Sequence, residues 1–145
     1  MTKRSRREEE YLEALYLLWR RNGVIRVKSL AETLNVKPPS IVEYLDRLAK
    51  KRLVRYIRHE AITLTDEGIR AAELVYERHR ALKEFLTIIL KLPEDIAESD
   101  ACKIEHELHG LTVDRIVKLM NFFKENPDIL SALRGIVESA YKNSD

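Results

Sequence analysis

The sequence predicts a mainly α-helical protein with one small β-hairpin, and three observations support this class. Only 4 of the 145 residues are glycine and 4 are proline, so few positions disfavour a helix. Apolar residues recur every three or four positions through most of the chain, which is typical of helices that bury one face. The glycines and prolines stand mostly between these periodic segments and divide the chain into six or seven helices.

The first half of the chain begins with two predicted helices. Apolar residues at helical spacing run from 6 to 21, and Asn22-Gly23 ends this segment. A short β-prone stretch at 24–27 comes next. Residues 28–35 then predict a brief helix with apolar residues on one face.

A third helix and a hairpin complete the first half. Pro38-Pro39 cannot continue the preceding helix, but proline suits the first turn of a new one. Ser40 to Glu43 also fits a capping box, so we expect a helix that begins near Pro39. Two β-rich segments, 53–57 and 61–64, flank a polar tip and predict a hairpin.

The second half is predicted to be entirely helical. Thr65 and Thr112 fit as N-caps of helices, and Asn126-Pro127 fits as a terminator. Gly110 is expected to end the helical region before Thr112. The four predicted helical segments are 66–90, 93–110, 113–124 and 128–141.

The net charge of +2 conceals an asymmetry. Residues 1–59 carry 15 Lys and Arg against 7 Asp and Glu, whereas residues 60–145 carry 11 against 17. A basic half facing a polyanion and an acidic half with another role would account for this division. The single cysteine, Cys102, excludes an intramolecular disulfide, and no apolar stretch is long enough to span a bilayer. We therefore expect a cytoplasmic protein without a membrane partner.

Helix, tight turn, helix and hairpin within residues 28–64 form the pattern of a winged helix-turn-helix, which predicts a DNA-binding domain over 1–64. The second helix of this motif enters the major groove, where its first residues reach base edges and its first amides can meet phosphates. An alternative is a winged helix used for protein contacts. The expected base-reading residues are Lys37, Pro39, Ser40, Glu43 and Tyr44, and the expected phosphate contacts include Arg47, Arg55 and Arg58.

A second group of residues has the spacing of metal ligands. Cys102, Glu105 and His106 stand at i, i+3 and i+4, so they share one face of a helix. Glu10 and Glu13 likewise share a face of the first helix. Each residue also has an ordinary structural interpretation, for example a buried cysteine or a solvated glutamate. Spacing alone leaves a metal site and a purely structural role both open.

Several motifs resemble the iron- and manganese-dependent repressors, the family of the diphtheria toxin repressor and the manganese transport regulator. The likeness covers essentially the whole chain, in the segments 10–18, 36–42, 64–68, 78–79 and 101–106. The resemblance implies a winged helix-turn-helix followed by an all-helical dimerisation domain, here 65–145, with a metal site between them. It implies that the metal-binding residues are Glu10, Glu13, His79, Cys102, Glu105 and His106.

The chain departs from the family pattern in a few places. Lys83 stands one turn after His79, where family members usually have a glutamate, so an ancillary second metal site is not expected there. The wing tip has Glu60-Ala61 in place of the usual glycine. Cys102 matches the iron-type branch and Glu10 the manganese-type branch, and the short chain resembles members without a C-terminal SH3-like domain.

Ligand chemistry does not identify a single metal. Three glutamates and two imidazoles suit Mn²⁺ or Fe²⁺, and a thiolate favours softer metals. We expect Mn²⁺ or Fe²⁺ as the bound ion, with Zn²⁺, Co²⁺ or Ni²⁺ able to bind in vitro.

Three functions remain open at this point. The first hypothesis is a metal-activated, homodimeric repressor of metal-homeostasis genes that binds double-stranded operator DNA and is not an enzyme. The dimer would form through the helices between 97 and 124, whose apolar residues exceed the need of one small core. The alternatives are a winged-helix regulator that responds to a small organic ligand, and a metalloenzyme with Glu105 as general base. The sequence contains no HExxH signature, which counts against the metalloenzyme hypothesis.

Overall fold

The computed structural model describes residues 3–144, and within them the chain forms seven α-helices and one two-stranded antiparallel sheet. Residues 1, 2 and 145, at the ends of the predicted domain ranges, lie outside the described residues. The mainly α-helical class is confirmed. The elements are α1 (Arg6–Asn22), α2 (Val27–Leu34), α3 (Pro38–Lys50), β1 (Val54–Arg55), β2 (Thr63–Leu64), α4 (Asp66–Glu84), α5 (Glu94–Ile104), α6 (Gly110–Glu125) and α7 (Pro127–Lys142).

The chain divides into two compact units, the first ending at Tyr76 and the second beginning at Glu77. No helix within residues 3–144 is both long enough and apolar enough to cross a membrane.

The first unit is built around α1. The Ser5 side chain accepts a hydrogen bond from the amide of Glu8 and caps the helix, and Gly23 ends it in the left-handed conformation at φ 69°. The inner face of α1 packs with α3 in one continuous apolar core. Its fully buried members include Leu12, Leu15, Ile25, Leu30, Ile41, Leu45 and Leu48.

The start of the helix-turn-helix motif differs in detail from the prediction. The β-prone stretch at 24–27 supplies only a single bridge, between Ile25 and Ile62, because α2 already begins at Val27. The third helix begins at Pro38, one residue earlier than expected. Ser40 therefore lies inside the first turn, and the N-cap Lys37 makes no side-chain capping bond, so the predicted capping box is wrong.

The hairpin is shorter than predicted and pairs Val54 with Leu64 and Arg55 with Thr63. Its wing tip turns without a glycine. His59 adopts a positive φ of 69°, and the amide of Glu60 donates a hydrogen bond of 2.9 Å to the carbonyl oxygen of Ile57. Non-glycine residues reach this region at a cost in energy.

The junction between the hairpin and α4 depends on one glycine. Thr65 caps α4 as predicted, since its hydroxyl accepts the Gly68 amide at 3.0 Å. A Cβ atom at Gly68 would lie 1.9 Å from the carbonyl oxygen of Leu53. Only a residue without a side chain allows this close approach of two backbone segments.

The second unit packs around two small apolar clusters. One contains Leu82, Leu86, Ala97 and Ala101, and the other contains Ile89, Met120 and Phe123. As predicted, the chain stays helical after α4 ends at Glu84. This last turn, Phe85–Ile89, is a π-helix. The Thr87 hydroxyl donates to the carbonyl oxygen of Lys83 at 3.0 Å in this turn.

The start of α6 corrects a second capping prediction. Gly110 begins this helix instead of ending the previous one, and His109 is its N-cap in the extended conformation. The amides of Thr112 and Val113 both donate to the carbonyl oxygen of His109, so Thr112 lies within the first turn. Thr112 is therefore not the cap.

Candidate functional site

The third helix turns one face inward and the opposite face to solvent, as a groove-reading helix requires. Ile41, Leu45 and Leu48 are buried on the inner face. Among the predicted DNA contacts, Ser40 and Tyr44 are half-buried. The exposed ones are Lys37, Pro39, Glu43, Arg47, Arg55 and Arg58.

The N-terminus of α3 has no amide available for a phosphate. Pro38 and Pro39 lack an N–H, and the amides of Ser40 and Ile41 donate to the carbonyl oxygen of Lys37 at 3.0 and 3.3 Å. The amides of the first turn of α3 are thus absent or already bonded within the helix. Contact of this helix end with phosphates stays a prediction, and side chains are the groups best placed to make it.

A groove of about 540 Å³ separates the start of α3 from the wing. Pro39 and Val42 form its helix side, Tyr56 and His59 its wing side, and Arg58 adds positive charge. The predicted base-reading end of α3 and the predicted phosphate contact Arg58 thus line the same groove.

Tyr44 is engaged with α1. Its ring lies 4.2 Å from the ring of Tyr11, measured between centroids, and the guanidinium of Arg7 lies 5.2 Å from the Tyr44 centroid. The Arg47 guanidinium lies 5.9 Å from the same ring. Tyr44 therefore joins α3 to α1 through stacking and cation–π contacts.

The acidic start of α1 is also tied to α3. The buried carboxylate of Glu8 accepts from the Lys51 ammonium at the end of α3. Two residues further along α1, the predicted metal-binding residue Glu10 pairs with Arg6 at 3.0 Å. Glu13, the other predicted ligand in this unit, is half-buried.

The second unit joins three of its four predicted metal ligands, His79, Glu105 and His106, through the carboxylate of Glu105. His79 is buried on α4, and its Nδ1 lies 2.7 Å from Oε2 of Glu105. The other oxygen of Glu105, Oε1, lies 2.9 Å from Nε2 of His106. Glu105 thus connects two imidazoles on different segments of the chain.

Glu98 is a further member of this cluster that the sequence analysis missed. Its Oε1 lies 3.0 Å from Nε2 of His79 and 3.6 Å from Sγ of Cys102. Nitrogen, oxygen and sulfur atoms of these three residues all lie within 4.8 Å of one another. The signal was present, because Glu98 precedes Cys102 by four residues and so shares its helix face.

Lys83 occupies the other side of Glu98. Its Nζ lies 3.0 Å from Oε2 of Glu98 and 3.0 Å from Oε1 of Glu94, and these hydrogen bonds raise the pKa of the lysine. Burial acts to raise the pKa of Glu98, but the hydrogen bond from Lys83 and the charge of His79 oppose it and hold the pKa below its usual value. The Lys83–Glu98 pair is therefore fully charged near neutral pH.

The donor set fits a divalent transition metal. Imidazole, carboxylate and thiol groups together suit iron and its neighbours in the first transition series, and carboxylates with imidazole suit manganese. A carboxylate beside a ligating imidazole commonly fixes the orientation of the ring, and Glu105 lies within hydrogen-bond distance of Nδ1 of His79.

The apolar residues of α6 fall into two groups. Met120 and Phe123 are buried, and Ile116 packs partly against the apolar clusters of the second unit, as does Leu108 just before α6. The three that stay exposed, at 62, 40 and 46% of their surface, are Leu111, Leu119 and Phe122.

Comparisons with known proteins agree with both parts of this description. Residues 3–62 match the family described as iron dependent repressor, N-terminal DNA binding domain, and residues 65–133 match its metal binding and dimerisation domain. The chain is 34% identical over 125 residues to the HTH-type transcriptional regulator MntR of Lysinibacillus sphaericus, covering 86% of this chain and 89% of that protein. It is 36% identical over 118 residues to the uncharacterized HTH-type transcriptional regulator MJ0568 of Methanocaldococcus jannaschii, covering 81% and 94%.

A solved structure is similar over the same region. The structure of the manganese regulator SloR superposes with a TM-score of 0.64 at 30% identity and covers 84% of this chain. The chain spans about half of that protein, 55% of its length.

A winged helix joined to a cluster of imidazole, carboxylate and thiol groups defines a DNA-binding regulator that depends on a metal ion. The chain belongs to the iron-dependent repressor family. It is a metal-dependent DNA-binding transcriptional repressor.

Proposed function

We propose that the protein binds operator DNA as a homodimer when Mn²⁺ or Fe²⁺ is held jointly by the carboxylates of α1 and the ligand cluster of α4 and α5. The observation that carries this proposal is the meeting of His79, Cys102, Glu105 and His106 around shared carboxylates. The proposed ligands are these four residues with Glu10 and Glu13. We also propose that the protein has no catalytic role, since its matched relatives are transcriptional regulators.

The proposed mechanism is a clasp between the two units. Glu10 and Glu13 belong to the first unit, and Glu105 and His106 belong to the second. Without a cation, carboxylates from the two units would repel one another, and the chain would sample arrangements that fit the operator poorly. A divalent ion held by both sets of carboxylates would supply the compensating positive charge.

The metal preference follows from the ligand types. The carboxylates of both units and the imidazoles of the second unit suit Mn²⁺ and Fe²⁺, and the Cys102 thiol favours Fe²⁺ over Mn²⁺. Zn²⁺, Co²⁺ and Ni²⁺ fit the same donors, so they are expected to bind in vitro.

The second unit offers a surface for the partner subunit. Leu111, Leu119 and Phe122 lie at i, i+8 and i+11 of α6, so they share one side of the helix. Exposed apolar residues grouped in this way are typical of an interface. Twofold symmetry would let two copies of α3 reach successive major-groove faces about 34–36 Å apart.

The DNA contacts divide into two kinds. Lys37, Pro39, Ser40 and Glu43 at the start of α3 are proposed to read base edges, and the cations Arg47, Arg55 and Arg58 are proposed to contact phosphates. Neutralising a phosphate contact should weaken binding to all sequences and reduce the salt dependence.

The clasp is tested with the variants Glu13→Ala and His106→Ala, measured by fluorescence anisotropy of operator DNA with and without metal. The unchanged protein should bind DNA about 5–150-fold more tightly with metal, the ordinary range of coupling between two sites. Both variants should remain helical and dimeric but lose this stimulation. Glu73→Ala, which removes an exposed carboxylate of α4, is the matched control and should respond normally. A His106→Ala protein with a full response would contradict the clasp.

A further inference from the structure

Lys83 holds a carboxylate that also faces the metal-ligating groups. The Glu98 oxygen Oε2 bonds the Lys83 ammonium at 3.0 Å, and the oxygen Oε1 faces His79 at 3.0 Å and Cys102 at 3.6 Å. Glu94 holds the same lysine from a second position on α5, also at 3.0 Å. The ammonium is thus fixed beside the cluster by two carboxylates.

We propose that Lys83 is a built-in competitor of the metal ion for Glu98, and that it sets the metal concentration at which the repressor responds. This inference rests on the proposed function, because it takes His79 and Cys102 as metal ligands and adds Glu98 to them as a further ligand. Lys83 and a divalent ion are both positively charged and would share one carboxylate. Their mutual repulsion raises the free energy of the metal-bound state, and Glu98 must loosen its contact with the lysine to ligate fully.

The competition has a specific structural basis. Glu98 is only half-buried and Lys83 is 29% exposed, so both side chains have room to change partners. Glu94, at 80% exposure, can keep the ammonium when Glu98 turns to the ion. Glu94 thus remains a partner of Lys83 both with and without a metal ion on Glu98. The change of partner by Glu98 is therefore reversible.

The test is a titration of the full chain with Mn²⁺ and with Co²⁺, without DNA, by isothermal titration calorimetry. Lys83→Gln removes the competing charge and should bind metal about ten- to a hundredfold more tightly than the unchanged protein. Lys83→Arg keeps the charge and should bind about as tightly as the unchanged protein. Lys91→Gln is the matched control, because Lys91 forms a comparable ion pair with Glu138 at 2.7 Å in the same unit.

A double-mutant cycle assigns the effect to Glu98. Glu98→Gln should weaken metal binding, and the tightening by Lys83→Gln should be much smaller in that background, because the two residues act on one group. Three results would overturn the proposal: equal affinity of Lys83→Gln and Lys91→Gln, equal tightening by Lys83→Gln and Lys83→Arg, or an undiminished effect without Glu98. These outcomes are read from metal affinity alone, so they are distinct from a failure of metal to stimulate DNA binding.

Discussion

The two units of the chain place their apolar and charged groups differently. The first unit has one continuous core in which α1, α2, α3 and the hairpin all take part. The second unit has two small apolar clusters and includes one helix, α7, without a fully buried residue. The first unit therefore obtains its stability from its own packing to a greater extent than the second.

The comparison suggests a division of roles. A DNA-reading unit has to present α3 in a fixed position, and close packing against α1 provides that. A regulatory unit has to respond to its surroundings, and a structure that is completed by an ion and a second subunit becomes more stable as their concentrations rise. Three predictions test this difference.

The largest expected effect is on the first unit. Gly68→Ala would place a Cβ atom 1.9 Å from the backbone of Leu53, so the hairpin and α4 must move apart. We expect a loss of about 3 kcal/mol or more in the free energy of unfolding, as for other severe steric conflicts. Gly135→Ala is the control, because nothing lies within 4 Å of that position, and it should stabilise α7 by about 0.5–1 kcal/mol. Denaturant unfolding measures both. Equal stability of the two variants would contradict the tight junction.

A smaller effect is expected on assembly. Phe122→Asp introduces a charge into the exposed apolar side of α6 and should raise the dissociation constant of the dimer about tenfold or more. Leu74→Asp changes a residue that is 58% exposed in the first unit and should leave the dimer unchanged. Sedimentation at micromolar concentration distinguishes them. A dimer that tolerates Phe122→Asp would exclude this side of α6 as the interface.

The smallest expected effect concerns how α3 is held. Tyr44→Ala removes the stacking with Tyr11 and the contact with Arg7, and should weaken operator binding at saturating metal by about tenfold, since such contacts contribute about 0.5–1.5 kcal/mol each. Tyr44→Phe keeps the ring and should bind like the unchanged protein. If Tyr44 instead reads a base through its hydroxyl, Tyr44→Phe would change the preferred sequence.

Most of the helices could be predicted because their signals are local. The apolar spacing of α1 and α3, the Gly23 terminus and the Thr65 cap each depend on residues within one or two turns. The misplaced capping predictions at Ser40 and Thr112 fail for a different reason. Several adjacent residues there can all serve as the first helical position, and the surrounding chain decides among them.

The candidate site was predictable only in part. Cys102, Glu105 and His106 form a recognisable motif within one segment, and the structure brings them close to His79. The partnership of Lys83 with Glu98 was not predictable, because it joins two helices and depends on how α4 and α5 approach each other. Sequence spacing describes the face of one helix but not the pairing of two.

The two prolines at the start of α3 also affect how quickly the protein finds DNA. Proline fixes the backbone φ angle, so the first turn of α3 has little conformational entropy left to lose on contact with DNA. An encounter that needs no prior folding step proceeds at the rate that diffusion and charge allow. The excess of cations in residues 1–59 would then govern the association rate, and the start of α3 would mainly govern how long the complex lasts.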